Sequence, residues 1–164
     1  MRALMISGDR SGSGKTSISL AIAALLSQKM TVQTFKVGMD YIDPSYLTGV
    51  TGRPCRNLDT FVMERTDLAR IFAHGMEGSD CGLVEGVRGL YEGAESLGDE
   101  GSSAAVAKLL NIPVVLVVSA RSITRSAAAI VKGFQSFDPA IDIRGIILNN
   151  VSGPQHVRKA TEAI

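Results

Sequence analysis

The sequence predicts a three-layer α/β domain in which a mostly parallel sheet carries helices on both faces. Apolar runs of strand length alternate with helical patterns along the 164 residues. The strands read as continuous apolar runs, as strands covered on both faces do, and βα alternation requires crossover connections. A glycine-rich turn also joins the first strand to the first helix, as in many sheets of this class.

The elements follow in order. A strand runs from Ala3 to Ser7, a helix from Lys15 to about Ser27, and a strand from Val32 to Val37. A loop from Gly38 to Leu58 comes next, longer than connections usually are, which marks it as functional. A helix near Asp67 to His74, a strand Cys81 to Glu85, a Gly-rich loop, a helix Ser102 to Leu110 and a strand Pro113 to Val118 continue the alternation. A helix Ile123 to Phe137 and a strand Arg144 to Leu148 repeat it. Gln155 to Ile164 begins a further helix with Val157, Ala160 and Ile164 on one face, and its abrupt stop predicts a piece of a longer protein.

Composition narrows the partners. Seventeen basic against 16 acidic residues leave a net charge of +1, too small a field to gather nucleic acid or an anionic membrane. Any anion must be recognised locally. Met1 and Arg2 precede an apolar run too short for a signal peptide, and the longest apolar run, Ile112 to Val118, is far below a membrane span. Cys55 and Cys81 lack disulfide or zinc spacing and read as reduced thiols of a cytoplasmic protein.

Between the first strand and first helix lies SGDRSGSGKTS, where Gly12, Ser13, Gly14, Lys15, Thr16 and Ser17 form a predicted phosphate loop for ATP. Glycines let backbone N–H groups approach phosphate oxygens, and the helix N-terminus adds its positive dipole end. Lys15, read as solvated at a strand edge, can reach the β and γ phosphates, and Thr16 can ligate Mg²⁺. The spacing departs from the strict pattern: Asp9 stands where the first glycine belongs, and Gly8 comes one place earlier.

Ligands of open parallel sheets bind beyond the carboxyl ends of the strands, which here are Gly8, Lys36, Glu85, Ser119 and Asn149. Lys36 places an ammonium where a γ-phosphate or a substrate carboxylate would sit. Glu85 can hold Mg²⁺, and Asp40 or Asp43 can complete the oxygen shell, although Asp43 before Pro44 reads equally well as a turn former. Asn149 can bond a nucleotide base. Arg53, Arg56, Arg88, Arg121 and Arg125 follow strands and are expected at the same rim, suiting a polyanionic second substrate; pairing with Glu64, Asp59 or Glu92 is the plainer alternative. Neither His74 nor His156 nor either cysteine sits in a glutaminase arrangement, so any nitrogen used must arrive from elsewhere.

The segments KVGMDYIDPSYLTGVTGRPCRNLD, VEGVRGLYEG and SARSITRSAAAIVKGFQSFDP resemble the N-terminal domain of the cobyrinic acid a,c-diamide synthases. The resemblance runs from the phosphate loop to the last residue and embraces the relative that amidates nickel sirohydrochlorin on the way to coenzyme F430. It implies a P-loop NTPase fold related to dethiobiotin synthetase, with a glutamine amidotransferase domain following that is absent here. It also implies ATP and Mg²⁺ as cofactors, Thr16, Asp40 and Glu85 as metal ligands, and Lys36, Asp40, Glu85 and Glu92 as catalytic residues. Tyr41, Arg53, Arg56 and Arg88 are expected on the substrate side, and Asn149 at adenine. The implied partners are a tetrapyrrole polycarboxylate and ammonia from a glutaminase domain or partner, with a homodimer left open. Met39, Arg88, Glu92 and Ser119 replace Pro, Met, Asp and Asp of the cobyrinate pattern and lean towards the nickel branch.

The implied chemistry is attack of a substrate carboxylate on the γ-phosphorus of ATP, then conversion of the acyl phosphate to an amide by ammonia. Two other classes compete. A partition-type P-loop ATPase switch carries a second lysine in the loop where this chain has Arg10, and a small-molecule kinase would release a stable phosphoester.

Overall fold

The computed structural model describes residues 3–164, so Met1 and Arg2 lie outside the described residues. Among the described residues twelve elements alternate: β1 (Ala3–Gly8), α1 (Lys15–Ser27), β2 (Val32–Val37), α2 (Ile42–Thr51), β3 (Arg56–Leu58), α3 (Arg65–Met76), β4 (Cys81–Glu85), α4 (Ser103–Leu110), β5 (Val114–Ser119), α5 (Arg125–Phe137), β6 (Ile143–Asn149) and α6 (Pro154–Thr161). The strands form one sheet in the order β3-β2-β4-β1-β5-β6, and every pairing is parallel.

Successive strand residues face opposite sides, so each strand feeds two apolar layers. Met5, Phe35, Val84 and Leu116 pack under Leu68 and Phe72 of α3, Val106 of α4 and Val131 of α5. Ile6, Val32, Leu83 and Val117 pack under Ala23 of α1 and Leu47 of α2. The predicted three layers are therefore present. Among the described residues no helix is long and apolar enough to cross a membrane.

The segment 38–58 differs from expectation, because it contains α2 and β3 instead of a long loop. Asp43-Pro44 reads as a turn, yet Pro44 occupies the first turn of α2, where a missing N–H breaks no intrahelical bond. β3 has three residues, too few to show a periodicity. Elsewhere the elements match with shifted ends. Ser102 caps α4, accepting from the Ala105 N–H at 3.0 Å, and α5 begins at Arg125 because Thr124 before it has a non-helical backbone, φ −127° and ψ −88°.

Candidate functional site

Because β1 lies between β4 and β5, the turns leaving β1 and β4 share one edge with those of β2. The phosphate loop closes tightly there. Gly14 has φ +98°, and a Cβ on it would fall 2.1 Å from the Asn149 amide nitrogen, so only glycine fits. That nitrogen donates to the Ser13 carbonyl at 2.8 Å, bracing the loop from β6. Ser17 is exposed on the first turn of α1.

Lys15 is not solvated as expected. It is buried, and its Nζ donates to the carbonyls of Arg10, at 3.3 Å, and Arg88, because the turn after β4 folds over it. Burial, aided by Lys36, holds its pKa below the ordinary lysine value.

The register places Asn57, Lys36 and Glu85 in one row across β3, β2 and β4. Lys36 is 4% exposed; its Nζ donates to Asp43 Oδ2 at 2.7 Å, Glu85 Oε1 at 2.9 Å and the Gly86 carbonyl at 3.3 Å. Thr16 Oγ1 donates to Glu85 Oε1 at 2.7 Å and lies 3.3 Å from Asp43 Oδ2. Burial alone would lower the Lys36 pKa, but Glu85 and Asp43 outweigh it and hold the ammonium charged above the usual range. Burial pushes the Glu85 carboxyl up against the pull of Lys36, whereas at half-buried Asp43 the hydrogen bond from Lys36 overcomes desolvation and holds the carboxyl down.

Beside Glu85, the second carboxylate near Thr16 is thus Asp43, where Asp40 was the expected metal ligand. Asp40 Oδ1 instead accepts from the Ile42 and Asp43 N–H groups at 2.8 and 3.3 Å, starting α2, while its Oδ2 is 3.9 Å from Lys36 Nζ. The donor set fits a hard divalent cation. Glu85 is fully buried with Oε2 lacking any hydrogen-bond partner, an orphan acceptor next to a threonine hydroxyl and a second carboxylate. Among the described residues no three His, Cys, Asp or Glu gather so as to hold a metal ion by themselves.

Arg88 and Glu92, both expected at the substrate, line a cavity of about 260 Å³ with Met39, Asp59, Phe61 and Val87. Arg88 adopts φ +46°, unusual for a residue with a side chain, and aims its carbonyl at Lys15 while its own side chain is exposed. Ser103 Oγ fixes the preceding peptide, accepting from Val87 N–H at 2.9 Å and donating to its carbonyl at 3.1 Å. Glu92 Oε2 accepts from Gly89 N–H at 3.1 Å, and Tyr41 is 80% exposed just before α2.

Two predicted substrate residues are elsewhere. Arg53 donates to Gln33 Oε1 at 2.9 Å and to the Gly75 and Glu77 carbonyls at 3.2 and 2.9 Å, which puts it at the amino edge of β2. Arg56 pairs in register with Phe35 and packs at Gly75 on the α3 face, opposite the phosphate loop. Both follow from β3, since a strand after α2 carries these arginines under α3. Arg121 is exposed in the turn after β5 and Arg125 on the first turn of α5, and among the described residues neither they nor Arg88 form an ion pair. Asp59, one proposed partner, accepts instead from Phe61 N–H at 2.8 Å.

A model of the "CobQ/CobB/MinD/ParA nucleotide binding domain" matches residues 4–164. The chain is 54% identical over 165 residues to a cobyrinate a,c-diamide synthase of Methanosarcina acetivorans, covering 98% of this chain and 33% of that protein. It is 48% identical over 164 residues to one of Methanococcus maripaludis, covering 100% of this chain and 37% of that protein. The chain thus spans about a third of the length of the curated relatives it matches. Its fold is shared with the signal recognition particle 54 kDa protein of Aeropyrum pernix in complex with GDP, at a TM-score of 0.62, 19% identity, and coverage of 99% of this chain and 39% of that one. It is shared also with cobyrinic acid a,c-diamide synthase from Mycobacterium smegmatis with bound ATP analog and magnesium, at a TM-score of 0.50, 17% identity, and coverage of 100% and 79%.

Proposed function

Since the chain belongs to the CobQ/CobB/MinD/ParA nucleotide binding domain family, we propose that it is the Mg·ATP-binding part of an amidoligase. Its substrate is the a and c side-chain carboxylates of a tetrapyrrole, cobyrinic acid or nickel sirohydrochlorin. The observation that carries this reading is Lys36, buried between Asp43 and Glu85 beside the phosphate loop and one turn from the Arg88 cavity. The diamide synthase names of the relatives support the substrate class.

Each residue then has a task set by charge. A carboxylate nucleophile is already ionised at neutral pH, so the first step needs no base. It needs cations, because an anion must approach a phosphate. Lys15 exchanges its carbonyl partners for phosphate oxygens, and Lys36 lies between phosphate and incoming carboxylate. Thr16, Asp43 and Glu85 would hold Mg²⁺, which supplies charge neutralisation at the phosphates when bound. Arg88 receives another carboxylate of the macrocycle, Tyr41 and Glu92 border the approach, and Asn149 meets adenine with the side of its amide not spent on Ser13. Attack on the γ-phosphorus gives an acyl phosphate and ADP. Ammonia then adds to the acyl carbon, phosphate leaves, and one nitrogen-bound proton is lost to solvent. The ammonia comes from a glutaminase domain or partner outside this chain.

The test is ADP release and amide formation with cobyrinic acid, with nickel sirohydrochlorin and without either, each with ammonium salts and then with glutamine. Turnover requiring a tetrapyrrole and ammonium supports the proposal, and the two tetrapyrrole arms choose between the branches. Turnover indifferent to any carboxylate, with a dimer formed only on ATP, would favour a partition-type switch. Against that switch, Arg10 is tied to Asp9 of its own loop at 2.8 Å.

A further inference from the structure

The Asn57 amide nitrogen donates to the carbonyls of Gly38, at 2.7 Å, and Asp40, at 2.8 Å. A side-chain amide has two hydrogens, so both are committed to one turn. The backbone of that turn is held from the same strand, since Gly38 N–H donates to the Leu58 carbonyl at 2.9 Å. Gly38 itself has φ +87°, a reversal that brings the chain from β2 back over its own end.

What the turn controls is the start of α2. Asp40 caps the Ile42 and Asp43 N–H groups, and Asp43, in that first turn, reaches Lys36 and Thr16. The residues that lead into Asp43 have little apolar anchorage, because Tyr41 and Ile42 are 80% and 69% exposed. The buried side chains of the helix, Pro44 and Leu47, follow Asp43. The hydrogen bonds therefore decide where the Asp43 carboxylate sits.

We infer that Asn57 is a positioning residue for the cation cluster. Through the Gly38 and Asp40 carbonyls it fixes the Asp40 cap and, through α2, the Asp43 carboxylate at bonding distance from Thr16 and Lys36. For its link to catalysis this inference rests on the amidoligase reading, but its test does not need turnover.

Asn57→Leu keeps similar bulk and removes both donors, while Asn57→Asp keeps the shape and sets a carboxylate against two carbonyls. The probe is Mn²⁺, titrated by electron paramagnetic resonance in the presence of a non-hydrolysable ATP analogue. Affinity for the analogue without metal is measured beside it. Both variants should bind Mn²⁺ about tenfold more weakly, the scale of one charge-assisted hydrogen bond, with metal-free analogue affinity within about twofold of wild type. The Ile42 and Asp43 amides should also exchange hydrogen faster, while those of β2 do not. Should either variant fail to fold, Asn57→Ser, which keeps one donor on a shorter arm, decides by the same two titrations. Unchanged Mn²⁺ affinity, or equal losses of metal and metal-free nucleotide binding, would overturn the inference. A wild-type chain that binds Mn²⁺ normally but shows no tetrapyrrole-dependent turnover would count against the amidoligase reading alone.

Discussion

Replacing Lys36 with Met should turn the cation cluster into a measurable source of instability. Asp43 Oδ2 and Glu85 Oε1 both lie within 2.9 Å of the ammonium nitrogen. Without it, two carboxylates about 4 Å apart would repel by about 4 kcal/mol at an effective dielectric of ~20. Removing one member of a buried ion pair costs about 3–5 kcal/mol by mutational experience, in agreement. Against a total stability of about 5–15 kcal/mol, the variant should fold but sit near its limit at pH 7. The pH dependence has a definite sign. The stranded carboxyls acquire raised pKa values, so the variant gains stability as pH falls from 7 to 5, where the folded state takes up protons that the unfolded state does not. In the wild type the lowered Asp43 pKa changes nothing in this window, since its share is lost only below the ordinary aspartate range, and the raised Glu85 pKa gives a smaller gain than in the variant because Lys36 still opposes protonation. The gap between the proteins should therefore narrow at pH 5. Millimolar MgCl₂ should narrow it at pH 7, by supplying positive charge to the same oxygens. Lys36→Met/Asp43→Asn should recover about half the loss. Urea unfolding followed by circular dichroism measures all of these. A loss below about 1 kcal/mol, or one equal at both pH values, would mean that the two carboxylates do not share the lysine.

Lys15→Ala should lower ATP affinity in calorimetric titration by at least about tenfold, since charged hydrogen bonds are worth about 1.5–3 kcal/mol each. Unchanged affinity would remove the phosphate-loop assignment. Asp43→Asn and Glu85→Gln should each raise the Mg²⁺ requirement, and the double variant should be little worse than either; full additivity with unaltered Mg²⁺ dependence would show separate roles. Arg88→Met should weaken tetrapyrrole binding by about 1.5–3 kcal/mol and spare ATP, whereas equal losses for both ligands would place Arg88 with the nucleotide or the fold.

The layers were legible because the sheet is buried on both faces, which makes strands such as Val114–Ser119 apolar up to the last residue. Glu85 was legible for a related reason, as a charge ending an apolar strand, and Lys36 as a charge one residue before the end of its strand. The segment 38–58 was harder. Its helix opens on Asp-Pro, a turn signal in isolation, and its strand is three residues long. Missing β3 had a direct cost, since pairing with β2 sends Arg53 and Arg56 away from the rim and brings Asn57 towards it. The exchange of Asp40 for Asp43 has the same origin. Without α2, two aspartates three residues apart are interchangeable; with it, one caps the helix and the other faces Thr16.

The bond from Asn149 to Ser13 spans 136 residues of chain. Contacts of such sequence separation form only after most of the intervening chain has been ordered, because loop closure must be met before they contribute. The glycine-rich turn after β1, although among the first segments to be synthesised, thus acquires its final shape only when β6 joins the sheet edge. A polypeptide arrested before β6 would carry every phosphate-loop residue and still lack the brace that shapes them, so nucleotide capture would report completed assembly of the sheet.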